Sequence, residues 1–344
     1  RCSRSFHLLP DMQIFRTIWG RDFVRLLKRK GGVALKNAWE KFCFTVVAVL
    51  LFAVVPCRAL AAPDASEEWY WLASDAKYSK YFAPNEVTVV KSLNVAGLER
   101  AMPTVIHGWI KTSFSYEGAK ETIANYGIKD ILPDPAALAY SLALVEVSPQ
   151  NRTFRYLEED FYDAQGNILW SKRTPGSEKE MNSQQYDETF YAAIVDSVFG
   201  MGELERLTSS DRWYELWKEK RSDGGEESAM ADTSTMRLKG ELLFYWEWVT
   251  KKDAKGNTLE VQFLKRALNV PMGTVSTKDG KTWTPQAGWQ DLEETDLTFH
   301  GIQQGSREYT GLLRLRTYTA KNLAWLYRAS LEPNAERRLQ RDEE

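Results

Sequence analysis

The chain has 344 residues, with 45 Lys and Arg against 47 Asp and Glu, and its three cysteines all lie before position 61. Residues 1–61 hold 11 of the basic and 3 of the acidic residues, so the remainder carries 34 basic and 44 acidic residues, a net charge of about −10. This acidic balance argues against nucleic acid and anionic membrane surfaces as partners, because both require a positive surface. About 280 residues without a cysteine are enough to fold on an apolar core alone.

Residues 1–32 are basic and show no apolar periodicity, and the chain opens with Arg1 rather than Met. We interpret this stretch as upstream sequence read through, with Val33 or Leu35 as an alternative start. On this interpretation the export signal begins shortly after residue 32.

A secretory signal is predicted next. Two lysines precede an apolar run from Cys43 to Val55, and its roughly 13 residues fall short of the roughly 20 that cross a bilayer. Ala59 and Ala61 occupy the small-residue positions of a cleavage site, so the mature N-terminus is predicted at Ala62. An uncleaved membrane anchor is the alternative, but the cleaved mature chain would have no membrane span.

The first folded unit is predicted to alternate short strands with helices. A strand is predicted at 87–90 and another at 104–111. A helix is predicted from Glu117 to Tyr126, where Gly127 ends it. The central stretch, residues 140–170, then predicts an antiparallel meander.

Within this meander Ala143, Val145 and Val147 alternate with other residues, a period of two that places them on one face of a strand. A turn follows, and a second turn is predicted at 163–167 (DAQGN), where Gly166 is free to take a positive φ. After a polar loop, apolar side chains recur at helical spacing, forming one stripe that can cover a sheet face. These are Tyr186, Phe190, Ile194 and Val198.

The rest of the chain resembles a second copy of this plan. Three segments recur in the same order. Trp213 to Leu216 is similar to Trp69 to Leu72, Leu242 to Val249 is similar to the strand around Trp109, and Gly305 to Glu308 is similar to Gly176 to Glu180. Residues 211–217 fit either a helix that closes the first unit or a strand that opens the second. Residues 222–235 are interpreted as a polar linker or long loop.

Near the end, the alternating LLRLRTY around Leu313 predicts further sheet. A closing helix is predicted on Ala320, Leu323, Ala324 and Tyr327. The fold class is therefore α+β: mostly antiparallel β meander sheets, each covered by a C-terminal helix, in tandem repeat. The predicted domains are 62–210 and 211–332, followed by a charged, disordered tail at 333–344.

Several motifs of the first unit together resemble the surface-adhesin E-like family. They are Trp71, Trp109-Ile110-Lys111, the run Arg152 to Tyr156, the turn Phe161-Tyr162-Asp163-x-x-Gly166, Pro175-Gly176-Ser177 and a final helix. The resemblance covers about 130 residues of the first unit and, faintly, the second. It implies a small exported protein with an antiparallel sheet packed by a helix, a cell-envelope or surface location, and a binding role. The chain departs from the family by lacking its usual cysteine pair.

Few side chains suited to catalysis follow residue 61. His107 and His300 lie in apolar, strand-like contexts without Cys, HxH or HExxH spacing, so each is interpreted as a buried or edge histidine satisfied by the backbone. A Ser-His-Asp triad remains an alternative, because its members need not be neighbours in sequence, although neither Ser177 nor Ser306 lies in a GxSxG elbow. We therefore predict no catalytic, cofactor-binding or metal-binding residue, and no cofactor.

Two acidic runs, Glu158-Glu159-Asp160 and Glu293-Glu294, have the composition of glycosidase carboxylates or a calcium site, but are interpreted as solvated faces. Aromatic residues are the stronger signal, because eleven of the thirteen tryptophans follow residue 61. Trp246 and Trp248 are two residues apart, hence on one face of a strand, and are the candidate binding aromatics. The alternative is that they fill the core.

The sequence thus predicts an exported protein, periplasmic, surface-bound or secreted, that acts as a non-catalytic binding or adhesion-type module. The predicted partner is a host or envelope protein or a glycan, with the oligomeric state left open. Two alternatives remain: a secreted hydrolase, and a structural envelope component without a small ligand.

Overall fold

The computed structural model describes residues 68–94, 101–292 and 297–328, which belong to one compact unit, Ala62–Glu344. The predicted signal with Ala59, Ala61 and Ala62, the pair Glu293-Glu294 and the tail at 333–344 lie outside the described residues. The described chain forms two similar antiparallel sheets.

The first sheet contains β1 (Tyr70–Ser74), β2 (Tyr78–Phe82), β3 (Thr88–Leu93), β4 (Met102–Phe114), β5 (Tyr140–Ser148), β6 (Thr153–Tyr162), β7 (Ile168–Lys172) and β8 (Lys179–Glu180). Its order is β1-β2-β4-β5-β6-β7, with β3 paired to β4 and β8 to β6. The second sheet contains β9 (Trp213–Lys220), β10 (Glu226–Lys239), β11 (Leu242–Lys252), β12 (Thr258–Asn269), β13 (Thr274–Thr284), β14 (Gly288–Asp291) and β15 (His300–Gly301). Its order is β14-β13-β12-β11-β10-β9, with β15 paired to β13.

The α-helices of the described chain lie between these strands and after them. They are α1 (Tyr116–Tyr126), α2 (Glu188–Phe199), α3 (Glu203–Thr208), α4 (Arg307–Lys321) and α5 (Leu323–Tyr327). The predicted helix before Gly127 is confirmed as α1, and Gly127 takes a left-handed φ of 66°. The predicted stripe is confirmed as α2, although Tyr186 precedes the helix.

Two identical hairpin turns mark the similarity of the two sheets. In each, an Asp carboxylate, Asp163 or Asp253, accepts hydrogen bonds from two backbone N–H groups of the turn and from the side chain of Asn167 or Asn257 at 2.8 Å. This hydrogen bonding lowers the pKa of both aspartates. The DAQGN turn is predicted from the sequence, whereas its DAKGN counterpart at 253–257 is not.

The strand after this turn is where the two sheets differ. In the second sheet β12 pairs along the whole of β11, from Lys252↔Thr258 to Leu242↔Asn269. In the first sheet β7 and β8 pair with opposite ends of β6, and residues 173–178 bulge out between them. After β8 the chain continues through residues 181–187 into α2.

Three interpretations of the second unit can now be decided. Residues 211–217 open the second sheet, because Trp213 begins β9. Leu216 and Trp217 are both buried beside a register shift, and this break in alternation is what resembled a helical stripe. The linker predicted at 222–235 is wrong: Gly224 forms a tight turn and β10 begins at Glu226.

The strand predicted around Leu313 is also wrong, because this segment is α4. Leu312 and Leu315 are buried whereas Leu313 is exposed, which is the spacing of a helix. In a run as short as LLRL, helical spacing and strand alternation look alike in the sequence. The predicted closing helix is confirmed as two pieces, the end of α4 and α5, separated at Asn322.

A candidate binding cleft on the first sheet

One face of the first sheet changes from apolar to polar and back along β4. Ile106 and Ile110 lie in the core cluster that contains Phe190 and Ile194 of α2. Thr112 follows on the same face, paired with Ser141 of β5, and Glu159 of β6 continues this polar floor. Apolar packing then resumes with Phe161, in the cluster that α1 shares.

The polar floor forms the base of a cleft of about 340 Å³, within the size range of small-ligand sites. α1 contributes Glu121, Thr122, Asn125 and Tyr126, and the segment before α2 contributes Lys179, Tyr186 and Asp187. Tyr78, Phe114 and Tyr156 complete the lining. The cleft therefore lies between α1 and α2, on the part of this sheet face that neither helix covers.

Local sequence fixes the position of α1. Ser115 caps its N-terminus by accepting a hydrogen bond from the Gly118 N–H at 3.2 Å. A Cβ on Gly118 would lie 2.2 Å from the Lys77 carbonyl oxygen, so glycine allows the helix to approach the β1–β2 hairpin closely. This contact holds the first turn of α1 against the sheet edge.

Two buried carboxyl groups face tyrosine hydroxyls at the cleft. Tyr126 donates to Glu159 Oε2, and Tyr156 donates to Asp187 Oδ1 at 2.8 Å. Burial raises the pKa of Glu159 and of Asp187 despite these hydrogen bonds, and it also raises the pKa of both tyrosines. Each carboxyl group is thus held in one orientation at the cleft.

Asp187 does not use its side chain to cap the helix that it precedes. It is the N-cap residue of α2, but its side chain caps no backbone N–H. The carboxylate bonds to Tyr156 instead. Such an exchange is typical of a residue that serves a site rather than its own helix.

Aromatic rings form the walls of the cleft. Tyr78 meets Phe114 and Tyr186 edge to face, with ring centroids 6.1 and 5.2 Å apart. Tyr126 packs edge to face on Phe161 at 5.1 Å. Geometries of this kind hold the rings rigid, so little side-chain entropy is lost when a ligand binds against them.

Lys80 supports the Tyr186 wall from behind. Its ammonium group donates to the Tyr186 carbonyl oxygen and lies 3.4 Å from the centre of the Tyr186 ring. Burial lowers the pKa of Lys80 to about 8. Lys80 therefore loses its positive charge at a lower pH than an ordinary lysine does.

The predicted histidines do not lie in this cleft. His107 on β4 places Nε2 3.2 Å from Glu146 Oε2, so the prediction of a backbone-satisfied residue is wrong for it. Its buried Nδ1 has no hydrogen-bond partner among the described residues. His300 lies exposed on the edge strand β15.

The two serines weighed for a Ser-His-Asp triad, Ser177 and Ser306, differ in position. Ser306 caps α4 by accepting from the Tyr309 N–H at 3.1 Å, whereas Ser177 is exposed in the bulge between β7 and β8. Neither lines the cleft. Within the described chain, no group of three or more His, Cys, Asp or Glu side chains is placed to hold a metal ion.

The interpretation of Glu158-Glu159-Asp160 as a solvated face is wrong for two of its members. Glu159 and Asp160 are both buried, on opposite faces of β6. Glu158 and Asp160 pair with Arg173 at 3.0 and 2.7 Å, whereas Glu159 lines the cleft. A charge run was misread as exposed because its partners are distant in sequence.

Trp246 and Trp248 share one face of β11, as predicted, but do not form an exposed row. Trp246 is 6% exposed and stacks on Phe263 with ring centroids 4.4 Å apart. The two indole N–H groups donate to Glu180 Oε1 and Ser183 Oγ, each at 3.3 Å. The prediction of a binding aromatic is thus corrected for Trp246, and for the half-buried Trp248 a ligand role stays a prediction.

Tyr126, Glu159 and Asp187 are not predicted from the sequence as a group. They come from a helix, a strand and a helix cap separated by about 30 residues each, and no local motif joins them. A signal in the sequence was the polar pair Thr112 and Ser141, which lies on the strand face that also carries Ile106, Ile110 and Val145.

No protein-family model and no curated protein matches the sequence. None of the helices in the described ranges is long and apolar enough to cross a membrane.

Proposed function

We propose that the protein is an exported cell-envelope or surface protein that acts as a non-catalytic binding module. The observation that carries this proposal is the cleft on the first sheet, where oriented carboxyl groups and hydroxyls lie between rigid tyrosine walls. The predicted signal, the acidic charge and the resemblance to the surface-adhesin E-like family agree with it.

The chemistry of the cleft favours a glycan over a protein partner. Sugar rings present hydroxyls at their edges and C–H groups on their faces, which suit polar floors and aromatic walls respectively. Glu159 and Asp187 are acceptors of fixed orientation, and Asn125 adds both a donor and an acceptor. A volume of about 340 Å³ accommodates one or two sugar rings.

The fold supports two related α+β units, each with its covering helix. α2 places Phe190 and Ile194 in the core of the first sheet, and α4 places Leu312 and Leu315 in that of the second. All the residues that line the cleft belong to the first unit.

A secreted hydrolase is the second candidate, favoured by one observation. Two carboxyl groups with raised pKa beside one cleft are the elements of general acid and base catalysis on a glycosidic bond. Both are committed to tyrosine partners, which favours binding over proton transfer.

The two functions separate in one experiment. The mature protein is screened against immobilised oligosaccharides, and the soluble forms of those retained are incubated with it and their products analysed. Binding without cleavage is expected. Cleavage that is lost in Glu159→Gln would assign a hydrolase, and retention of no oligosaccharide would contradict the glycan proposal.

A further inference from the structure

A second cleft, of about 310 Å³, lies where the β5–β6 turn approaches the second sheet. Its lining consists of Gln150, Asn151, Thr153, Glu180, Arg237, Lys239, Phe244 and Lys265. Three of these side chains are cationic and one is anionic. The cleft is thus positive on a protein whose residues after position 61 are acidic.

Strand register places the cations together. Arg237 and Lys239 are two apart on β10, and Arg237 pairs with Phe244 on β11. Lys265 on β12 pairs with Trp246, two residues beyond Phe244, so it lies on the same face of the sheet. The opposite face carries Leu238 and Leu243 and packs in the core with α4.

Arg237 is the exceptional member of this group. It is 7% exposed, and its hydrogen bond to the Pro149 carbonyl oxygen is long, at 3.4 Å. Among the described residues no carboxylate lies within ion-pair distance of it, whereas the neighbouring buried Arg152 pairs with both Glu188 and Glu203. Burial lowers the pKa of Arg237 to about 10, as expected of a guanidinium without a counter-charge.

The lining contains two further cations. Lys265 pairs with Glu180, and Lys239 Nζ lies 3.4 Å from Asn151 Oδ1. A buried charge without a partner is unfavourable, so a buried cation that lines a cleft is a candidate site for a ligand of the opposite charge. The planar fork of an arginine can bind two oxygens of a phosphate group at once.

We propose that this cleft binds a phosphate or sulfate group, with Arg237 as the anchoring guanidinium and Lys239 and Lys265 at its rim. The site is separate from the cleft on the first sheet, and its failure would leave the proposed function untouched. A phosphorylated or sulfated ligand would present the same oxyanion, so the probes are inorganic phosphate and inorganic sulfate.

The test is thermal unfolding of the mature protein in millimolar phosphate or sulfate, with chloride at equal ionic strength as the reference. A ligand that binds only the folded state raises Tm with its concentration. We expect both oxyanions to raise Tm in the wild type, and the larger shift shows whether the site prefers phosphate or sulfate. Arg237→Gln should abolish the shift, whereas Arg314→Gln, on the exposed side of α4, should retain it.

A second variant covers the case in which Arg237→Gln does not fold. Lys239→Gln changes a half-exposed side chain and should weaken oxyanion binding about tenfold, seen as a Tm response displaced to higher concentrations. Sulfate and phosphate also stabilise proteins nonspecifically. Equal shifts in the wild type and in both variants would therefore overturn the proposal, as would no shift beyond that of chloride.

Discussion

Arg152 and Glu203 are both almost completely buried, and Arg152 Nη1 lies 3.1 Å from Glu203 Oε2 although 51 residues separate them in sequence. Each has further partners, so the pair belongs to a buried ion-pair network. Its members are Arg152, Glu188, Glu203, Arg212, Asp232 and Arg328. Arg152 turns inward at a positive φ of 53°, the one non-glycine residue with such a φ among the described residues.

This network joins the two sheets. Glu203 is shared between Arg152 of the first sheet and Arg328 after α5, and Glu188 between Arg152 and Arg212. The predicted boundary between 210 and 211 therefore separates charges that depend on one another. A buried pair is costly to break because the remaining charge is left without a partner.

We predict that Glu203→Gln lowers the free energy of unfolding by about 3 to 5 kcal/mol, because it removes the charge that balances Arg152 and Arg328. Urea denaturation at pH 7 measures the change. The matched control is Glu205→Gln, an exposed residue of the same short helix, which should change stability by less than about 0.5 kcal/mol. Equal effects would show that the network contributes nothing specific.

The same carboxylate gives a pH dependence. Burial alone would raise the pKa of Glu203, but Arg328 and Arg152 outweigh it and lower that pKa below 4.5. Its contribution to stability is therefore present above pH 4.5 and is lost as the pH falls through the lowered value. The stability difference between wild type and Glu203→Gln should shrink in acid.

Glu159 should show the opposite sign. Its pKa is raised by burial, so the folded state binds a proton more tightly than the unfolded state and stability falls as pH rises above about 4.5. Glu159→Gln removes this loss, and its Tm relative to wild type should be more favourable at pH 7 than at pH 4. A Tm difference from wild type that is the same at pH 4 and at pH 7 would contradict the assignment.

Trp246 and Trp248 should differ in their effect on stability. Trp246→Ala removes a buried ring that stacks on Phe263 and should cost about 3 to 5 kcal/mol in denaturant unfolding. Trp248→Ala, at a half-buried position, should cost less. If neither variant were destabilised, the two rings would be exposed after all.

The matching turns offer a test of the similarity between the sheets. Gly166 and Gly256 both adopt positive φ, 82° and 85°, and nothing crowds either position closer than 3.7 Å. Replacing either with Ala should cost about 1 to 2 kcal/mol from backbone strain alone. Clearly unequal costs would mean that the turns are not equivalent.

Local patterns predicted much of the fold. Alternation in β5, the stop at Gly127 and the stripe of α2 were all readable, because each depends on neighbours in sequence. Predictions failed at β10, where the run Asp232 to Thr235 is buried and polar. Ser234 Oγ and Thr235 Oγ1 donate hydrogen bonds to Asp232 there. Because these buried polar groups are satisfied by one another, the strand is buried without the apolar residues that would reveal it in the sequence.

The cleft could not be predicted for a related reason. Its carboxyl groups are defined by tyrosines more than 30 positions away, and the space between α1 and α2 depends on how two helices share one sheet face. In the sequence Arg152 stands out only as the first residue of the run Arg152 to Tyr156, yet its φ and its partners make it the centre of the network. Sequence spacing carries no information on such long-range pairs.

The most direct test of the proposed function is to block the cleft without disturbing the fold. Asn125→Trp places a large side chain at a cleft-lining, solvent-exposed position of α1, and Ala124→Trp places the same side chain at the adjacent exposed position outside the cleft. The Kd of each variant is measured for the oligosaccharide that the wild type binds best. We predict that Asn125→Trp weakens binding at least about tenfold while Ala124→Trp binds like the wild type, and unchanged binding by Asn125→Trp would contradict the account.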